Sequence, residues 1–146
     1  RQQGLMHGTA APALSQEEAF ARIRLLRSPR IGPVSYAMLL ARFGSAAAAL
    51  EVLPDLSARG GQAYRPASAD SVEREVEAAR RAGARYLFHD QPSYPALLAE
   101  VEGAPPILLY RGDLTLTAAP CVAVVGARNA SAAAVKLARD FASDLA

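Results

Sequence analysis

Apolar positions recur with helical spacing through the first third of the chain, and the pattern then changes character. Phe20, Ile23 and Leu26 return every three residues with arginines on the other faces, which predicts a helix. Ser15 precedes it and Glu18 lies three residues on. This spacing predicts a capping box, in which the Glu18 carboxylate answers the backbone N–H of Ser15. Pro29 and Gly32-Pro33 break that helix. Tyr36, Leu39, Leu40 and Phe43 stripe a second helix from about Val34 to Phe43, and Gly44 is placed to be its C′ residue. Ser45 can cap a third, alanine-rich helix expected to end near Leu53-Pro54. Three short helices with tight connections predict a small helical module over residues 15–65. The preceding residues 1–14 mix Gln, Gly, Pro and Ala without periodicity and read as a flexible tail.

Residues 62–69 turn to Pro, Ser, Ala and Tyr and read as a linker. Beyond them the pattern becomes α/β. A charged helix from Asp70, with Val72, Val76 and Ala79 inward, ends at Gly83 and is followed by a strand over Arg85–His89. Asp90–Tyr94 reads as a turn, and Pro95 as the first position of a short helix reaching Val101. Pro105-Pro106 halts that helix, Ile107–Tyr110 is a second strand, and Gly112-Asp113 a turn. Cys121–Val125 is a continuous apolar run between Pro120 and Gly126, the pattern of a buried parallel strand. Ser131–Leu145 has helical spacing at Val135, Ala138, Phe141, Ala142 and Leu145. A strand, a Gly-led loop and a helix form the opening half of a parallel βαβ unit. The fold class expected is therefore α/β: a helical module of the helix-hairpin-helix (SAM-like) kind, then residues 66–146 as the first part of a Rossmann-like parallel-sheet domain. One helix cannot close such a sheet, so the chain reads as a fragment of a longer protein.

Composition changes this picture little. With 51% hydrophobic and 21% charged residues the chain can build a core. No apolar run approaches the roughly 20 residues that span a bilayer, and Arg1–Leu14 lacks a signal-peptide core, so a cytoplasmic protein without membrane contact is expected. A lone cysteine, Cys121, excludes an internal disulfide and a cysteine-based zinc site. Charge distribution is more informative than the net +2. Residues 15–65 hold seven arginines against four acids, net +3, whereas residues 66–146 hold eight basic and ten acidic residues, net −2. Positive potential is therefore expected on the helical module.

Two loops could carry chemistry. In Gly126-Ala127-Arg128-Asn129-Ala130-Ser131 the dinucleotide-loop spacing G-x-G-x-x-G reads G-x-R-x-x-S. Arg128 occupies the position where a pyrophosphate needs bare backbone, so no nucleotide cofactor is expected. What remains is an anion site: helix N–H groups and dipole at the loop mouth, the Arg128 guanidinium, and the Ser131 hydroxyl. The plainer alternative is that Ser131 only caps and Arg128 pairs with a carboxylate. In Ser28-Pro29-Arg30-Ile31-Gly32-Pro33 the turn looks like a helix-hairpin-helix motif whose first glycine is replaced by Arg30, with Gly32 kept. Its alternative is a hairpin used only for packing or protein contact. His89 beside Asp90, the Glu73, Glu75 and Glu77 set, and Cys121 read as structural or solvated groups. No catalytic set and no metal-ligand spacing stands out.

The segments Tyr94-Pro95-x-x-Leu98, Pro105-Pro106-x-Leu108-x-Tyr110-x-Gly112-Asp113 and Val124-Val125-Gly126-x-Arg128-x-x-Ser131, in this order, resemble the DNA-processing protein A family, also called DprA or Smf. Arg42-Phe43-Gly44-Ser45 is similar to the end of that family's helical hairpin. The resemblance implies a dimeric, non-enzymatic, cytoplasmic protein that binds single-stranded DNA in natural transformation, protects it and helps load the RecA recombinase. It implies phosphate contacts at Arg128, with Gly126 and Ser131 as loop companions and Lys136 one turn into the helix. From the hairpin motif, Arg30 and Gly32 are expected as a secondary DNA contact. The family loop often continues to a Tyr-Gly pair, where this chain has Ala133 and Ala134. The alternatives from other classes are a Rossmann-like hydrolase of nucleoside monophosphates, or a helical module acting only in protein–protein contact.

Overall fold

A computed structural model describes residues 14–59 and 63–145; most of the expected flexible tail, 1–14, lies outside the described residues. The chain divides into two compact units, one reaching Gly112 and one from Asp113.

In the first unit, α1 (Gln16–Arg27), α2 (Pro33–Phe43) and α3 (Ala46–Arg59) form the helical module. Local signals set their ends. Ser15 Oγ accepts from the Glu18 N–H, Gly44 adopts the left-handed conformation (φ 79°) and donates to the Leu40 carbonyl, and Ser45 Oγ accepts from Ala48 N. The Glu18 carboxylate does not reach back to Ser15. It accepts from the backbone N–H groups of Ala46 (2.8 Å) and Ala47 (3.3 Å), so α1 supplies a cap for α3. Helix α3 also runs past Pro54, because Leu50 and Leu53 stay buried and hold the helix where the proline removes one backbone bond.

Helix α1 is central and buries two sides. Ala21 and Leu25 pack with Tyr36, Ala49 and Leu53, while Ile23 packs with Val72 of α4 (Ala69–Arg81) and Phe88 of β1 (Arg85–Phe88). Fully burying a side chain such as Leu25 or Val72 is worth about 1.5–3 kcal/mol, so these contacts join the helical module to the elements that follow. Residues expected to be a linker are stitched down. Ala67 N donates to Ser28 Oγ (3.0 Å), Arg24 Nε donates to the Ala67 carbonyl (2.7 Å), and Tyr64 is buried.

Strand β1 pairs with β2 (Ile107–Tyr110) in an antiparallel ladder running from Arg85 opposite Tyr110 to Phe88 opposite Ile107. The parallel sheet expected over residues 66–146 is not shown: the ladder among the described residues is antiparallel. Parallel pairing needs a crossover, usually a helix packed on the sheet, but α5 (Ala96–Ala99) has only four residues. The connection instead folds back on itself, and His89 N donates to the Pro106 carbonyl. No parallel strand pair occurs among the described residues.

The second unit contains a 3₁₀ turn over Leu114–Ala118 and α6 (Ala132–Leu145). The apolar run Cys121–Val125 is not a buried strand. It forms no ladder, and Val122, Val124 and Val125 are exposed. A strand needs a neighbour for its N–H and C=O groups, and no described segment pairs with this one. Cys121 is accordingly an exposed thiol rather than a buried one. No single helix among the described residues is long and apolar enough to cross a membrane.

Candidate nucleic-acid interface

The loop at Gly126–Ser131 lies in the second unit. Arg128-Asn129 forms a turn, and the chain enters α6 immediately after Ser131. Ser131 caps that helix: its Oγ accepts from Ala134 N (3.2 Å) and its carbonyl from Val135 N (3.0 Å). The capping half of the plainer sequence alternative is thus present. The other half is absent, because Arg128 is exposed and forms no ion pair with any described residue. An unpaired guanidinium beside a helix N-terminus presents donors and positive potential to an anion. Gly126 is exposed, and an added Cβ would meet nothing within 4 Å, so the backbone here is open to approach. Lys136 lies one turn into α6, where its ammonium pairs with Asp140 (2.7 Å). Both partners are exposed, a geometry worth at most about 1 kcal/mol, so the pair can exchange for a phosphate.

The hairpin between α1 and α2 lies in the first unit. Arg30 has φ 64°, the left-handed region, and is the one described non-glycine residue there. The chain thus keeps at residue 30 the backbone conformation that a glycine would adopt without strain. Three contacts hold it. Tyr64 Oη donates to the Pro29 carbonyl (2.8 Å), the Arg30 guanidinium lies 5.7 Å from the Tyr64 ring centre, and Ile31 N donates to the Ser28 carbonyl (3.2 Å). Ser28 is buried and donates to the Arg24 carbonyl while accepting from Ala67 N. Burial pushes the Tyr64 hydroxyl's pKa up, so it stays a donor. Gly32 caps α2 in extended backbone, with no side chain and open space at its Cβ position, and Pro33 follows at N1. The first N–H groups of α2 are thus approachable.

Sequence reasoning missed Tyr64, whose available signal was an aromatic in a stretch otherwise typical of linkers. It also missed the second role of Glu18 and the ion pair that occupies Asp90. Arg22 bridges Glu18 (3.1 Å) and Asp90 (2.7 Å), so Asp90 is tied to a guanidinium rather than serving His89. The His89 ring instead contacts Tyr94, with centroids 4.8 Å apart. Glu75 is not merely solvated: Arg27 grips both its oxygens at 2.8 Å and Tyr86 Oη donates to it, which holds its pKa below the usual carboxylate range. Glu77 does pair with Arg80 at i,i+3. Among the described residues no cluster of His, Cys, Asp and Glu could hold a metal.

No curated protein matches the chain. Two family models do. The DprA-like N-terminal HHH domain matches residues 16–78, the stretch containing the strained hairpin, and DNA recombination-mediator protein A matches residues 85–146, the stretch containing the Arg128 loop. The chain belongs to the DprA family of DNA recombination mediators.

Proposed function

We propose that this chain binds single-stranded DNA without sequence preference, and that it acts without catalysis to protect incoming strands and promote RecA loading during transformation and recombination. The observation that supports this most is Arg128, exposed and without an ion pair among the described residues, at the mouth of a Ser131-capped helix. Phosphates would be held by Arg128 and the free N–H groups of the first α6 turn, with Gly126 allowing close approach and Lys136 adding charge. Affinity would come from counterion release, with little base readout. In this reading residues 66–146 carry the main contact, while residues 15–65 add a secondary one at Arg30 and Gly32. The protein would work in the cytoplasm as a homodimer.

Arg128→Ala tests the reading by filter binding across a salt series. The expected outcome is weaker binding to every single strand alike, with the salt slope shallower by about 0.7 because one fewer phosphate is neutralised. Unchanged affinity and slope would remove Arg128 from the interface.

A further inference from the structure

Contacts sort the arginines of the helical module. Arg22 and Arg27 each face a carboxylate, and Arg24 donates to the Ala67 carbonyl, so all three are engaged within the fold. Arg42 sits in the last turn of α2, about 14 Å along the helix axis from Pro33, and lies over the Phe43 ring. Arg65 differs from all of these. It is exposed, and it forms no ion pair with any described residue. Its neighbours fix where it stands. Tyr64 Oη donates to the Pro29 carbonyl (2.8 Å) and Ala67 N donates to Ser28 Oγ (3.0 Å), so Arg65 is held between two anchors on the hairpin's own residues. Pro66 also restricts Arg65 to extended backbone, which leaves less chain freedom to be lost when a ligand binds.

The charge of this region is not cancelled locally. Residues 28–33 and 60–69 contain no Asp or Glu, so the two segments together carry the +2 of Arg30 and Arg65. We infer that Arg65 is a phosphate-binding residue of the hairpin site, a second guanidinium beside Arg30 that grips the backbone of single-stranded DNA passing over residues 28–33. The inference rests on the DNA reading above and adds to it a residue from outside the hairpin, carried there by the strap of residues 64–67. The planar fork of Arg65 fits the two free oxygens of a phosphodiester, and a phosphate carries no base identity, so the contact is blind to sequence.

The test is filter binding of oligo-dT to the full chain across a salt series. Arg65→Ala should weaken binding and make the salt slope shallower by about 0.7, the loss of one neutralised phosphate on a single strand. Arg65→Lys keeps the charge and should keep the slope. Arg42→Ala is the control: it removes the same charge from an exposed arginine of the same module, away from the hairpin, and should leave the slope unchanged. Arg65 and Arg42 are both exposed, so these changes leave the core intact. Combining Arg65→Ala with Arg128→Ala should make the slope shallower by about 1.4, because each variant removes its own phosphate. An unchanged slope in Arg65→Ala, with Arg128→Ala still lowering it, overturns the inference and leaves the DNA reading standing. Equal effects of Arg65→Ala and Arg42→Ala would assign the loss to overall charge and overturn it too, as would a slope in Arg65→Lys as shallow as in Arg65→Ala. Failure of wild type to retain oligo-dT at any salt concentration overturns the inference and the DNA reading together.

Discussion

The left-handed backbone at Arg30 can be weighed by comparing two substitutions that remove the same side chain. Arg30→Ala and Arg30→Gly both delete the guanidinium, its placement over Tyr64 and any other contact it makes, so those contributions cancel between them. What differs is the backbone. At φ 64° an L-residue with a Cβ carries a cost of about 1–2 kcal/mol that glycine escapes. Glycine in turn loses about 0.5–1 kcal/mol more chain entropy on folding. The glycine variant should therefore be the more stable of the two, by about 0.5–1 kcal/mol in urea unfolding. At a right-handed or extended position the order reverses, because only the entropy difference remains. The sign of the comparison thus reports the conformation directly. An alanine variant as stable as the glycine variant, or more so, would refute the left-handed assignment and with it the view that this hairpin keeps the glycine geometry. The same pair of variants separates charge from approach in DNA binding. Equal losses in both identify the guanidinium as the contributor, whereas recovery in the glycine variant identifies open backbone.

Three further outcomes follow from the contacts around α1. Glu75 has a folded pKa below its ordinary value, so it stabilises the fold above the usual carboxylate range and loses that contribution as pH falls through the lower, folded value. Glu75→Gln should flatten the acid limb of a stability–pH profile, and an unchanged limb would show that the Arg27 pair contributes nothing. Tyr36 remains neutral in the fold up to about pH 12, while the unfolded chain ionises near 10, so stability is full below pH 10 and drops by about 2–3 kcal/mol as pH rises through 12. Thermal unfolding of Tyr36→Phe should show that alkaline loss reduced, with the contribution of Tyr86, also raised to about 12, remaining. Ser28→Ala leaves the part-buried Ala67 N–H without its acceptor and should cost about 1 kcal/mol in urea unfolding; a loss below a few tenths would mean the segment after Tyr64 relaxes freely.

What was legible in the sequence was local. Ser15, Gly44 and Ser45 act within one helical turn of themselves, so a four-residue window reveals their caps. The α2 stripe needs only helical periodicity, and Tyr36, Leu39, Leu40 and Phe43 do face the core. The hairpin pattern at Ser28–Pro33 also had structural content, because it marked residue 30 as a glycine-like position and Arg30 adopts that conformation. Apart from the end of α3, which runs past Pro54, the failures were long-range. Nothing near Glu18 reveals that its carboxylate caps a helix beginning 28 residues later. The strands β1 and β2 carry apolar patterns that fit either direction of pairing, and only the short α5 between them decides. An apolar run such as Cys121–Val125 states what a strand would bury without stating which strand pairs with it.

Charge is where counting by segment misled most. The helical module's seven arginines gave it a net +3 that pointed to phosphate contact, yet three of those on α1 are engaged within the fold. Arg22 lies between Glu18 and Asp90 with its side chain 14% exposed, Arg24 donates to the Ala67 carbonyl, and Arg27 is gripped by Glu75. Two of the partner acids, Asp90 and Glu75, fall in the segment counted as net negative, so the apparent asymmetry between segments is largely these ion pairs divided at a boundary. A guanidinium already held by a carboxylate releases few counterions when a phosphate arrives, and it contributes little to the salt slope of DNA binding. Any DNA contact proposed for the module would therefore fall to the hairpin rather than to the α1 arginines, and single alanine substitutions at Arg22 or Arg27 should lower stability well before they alter affinity for DNA.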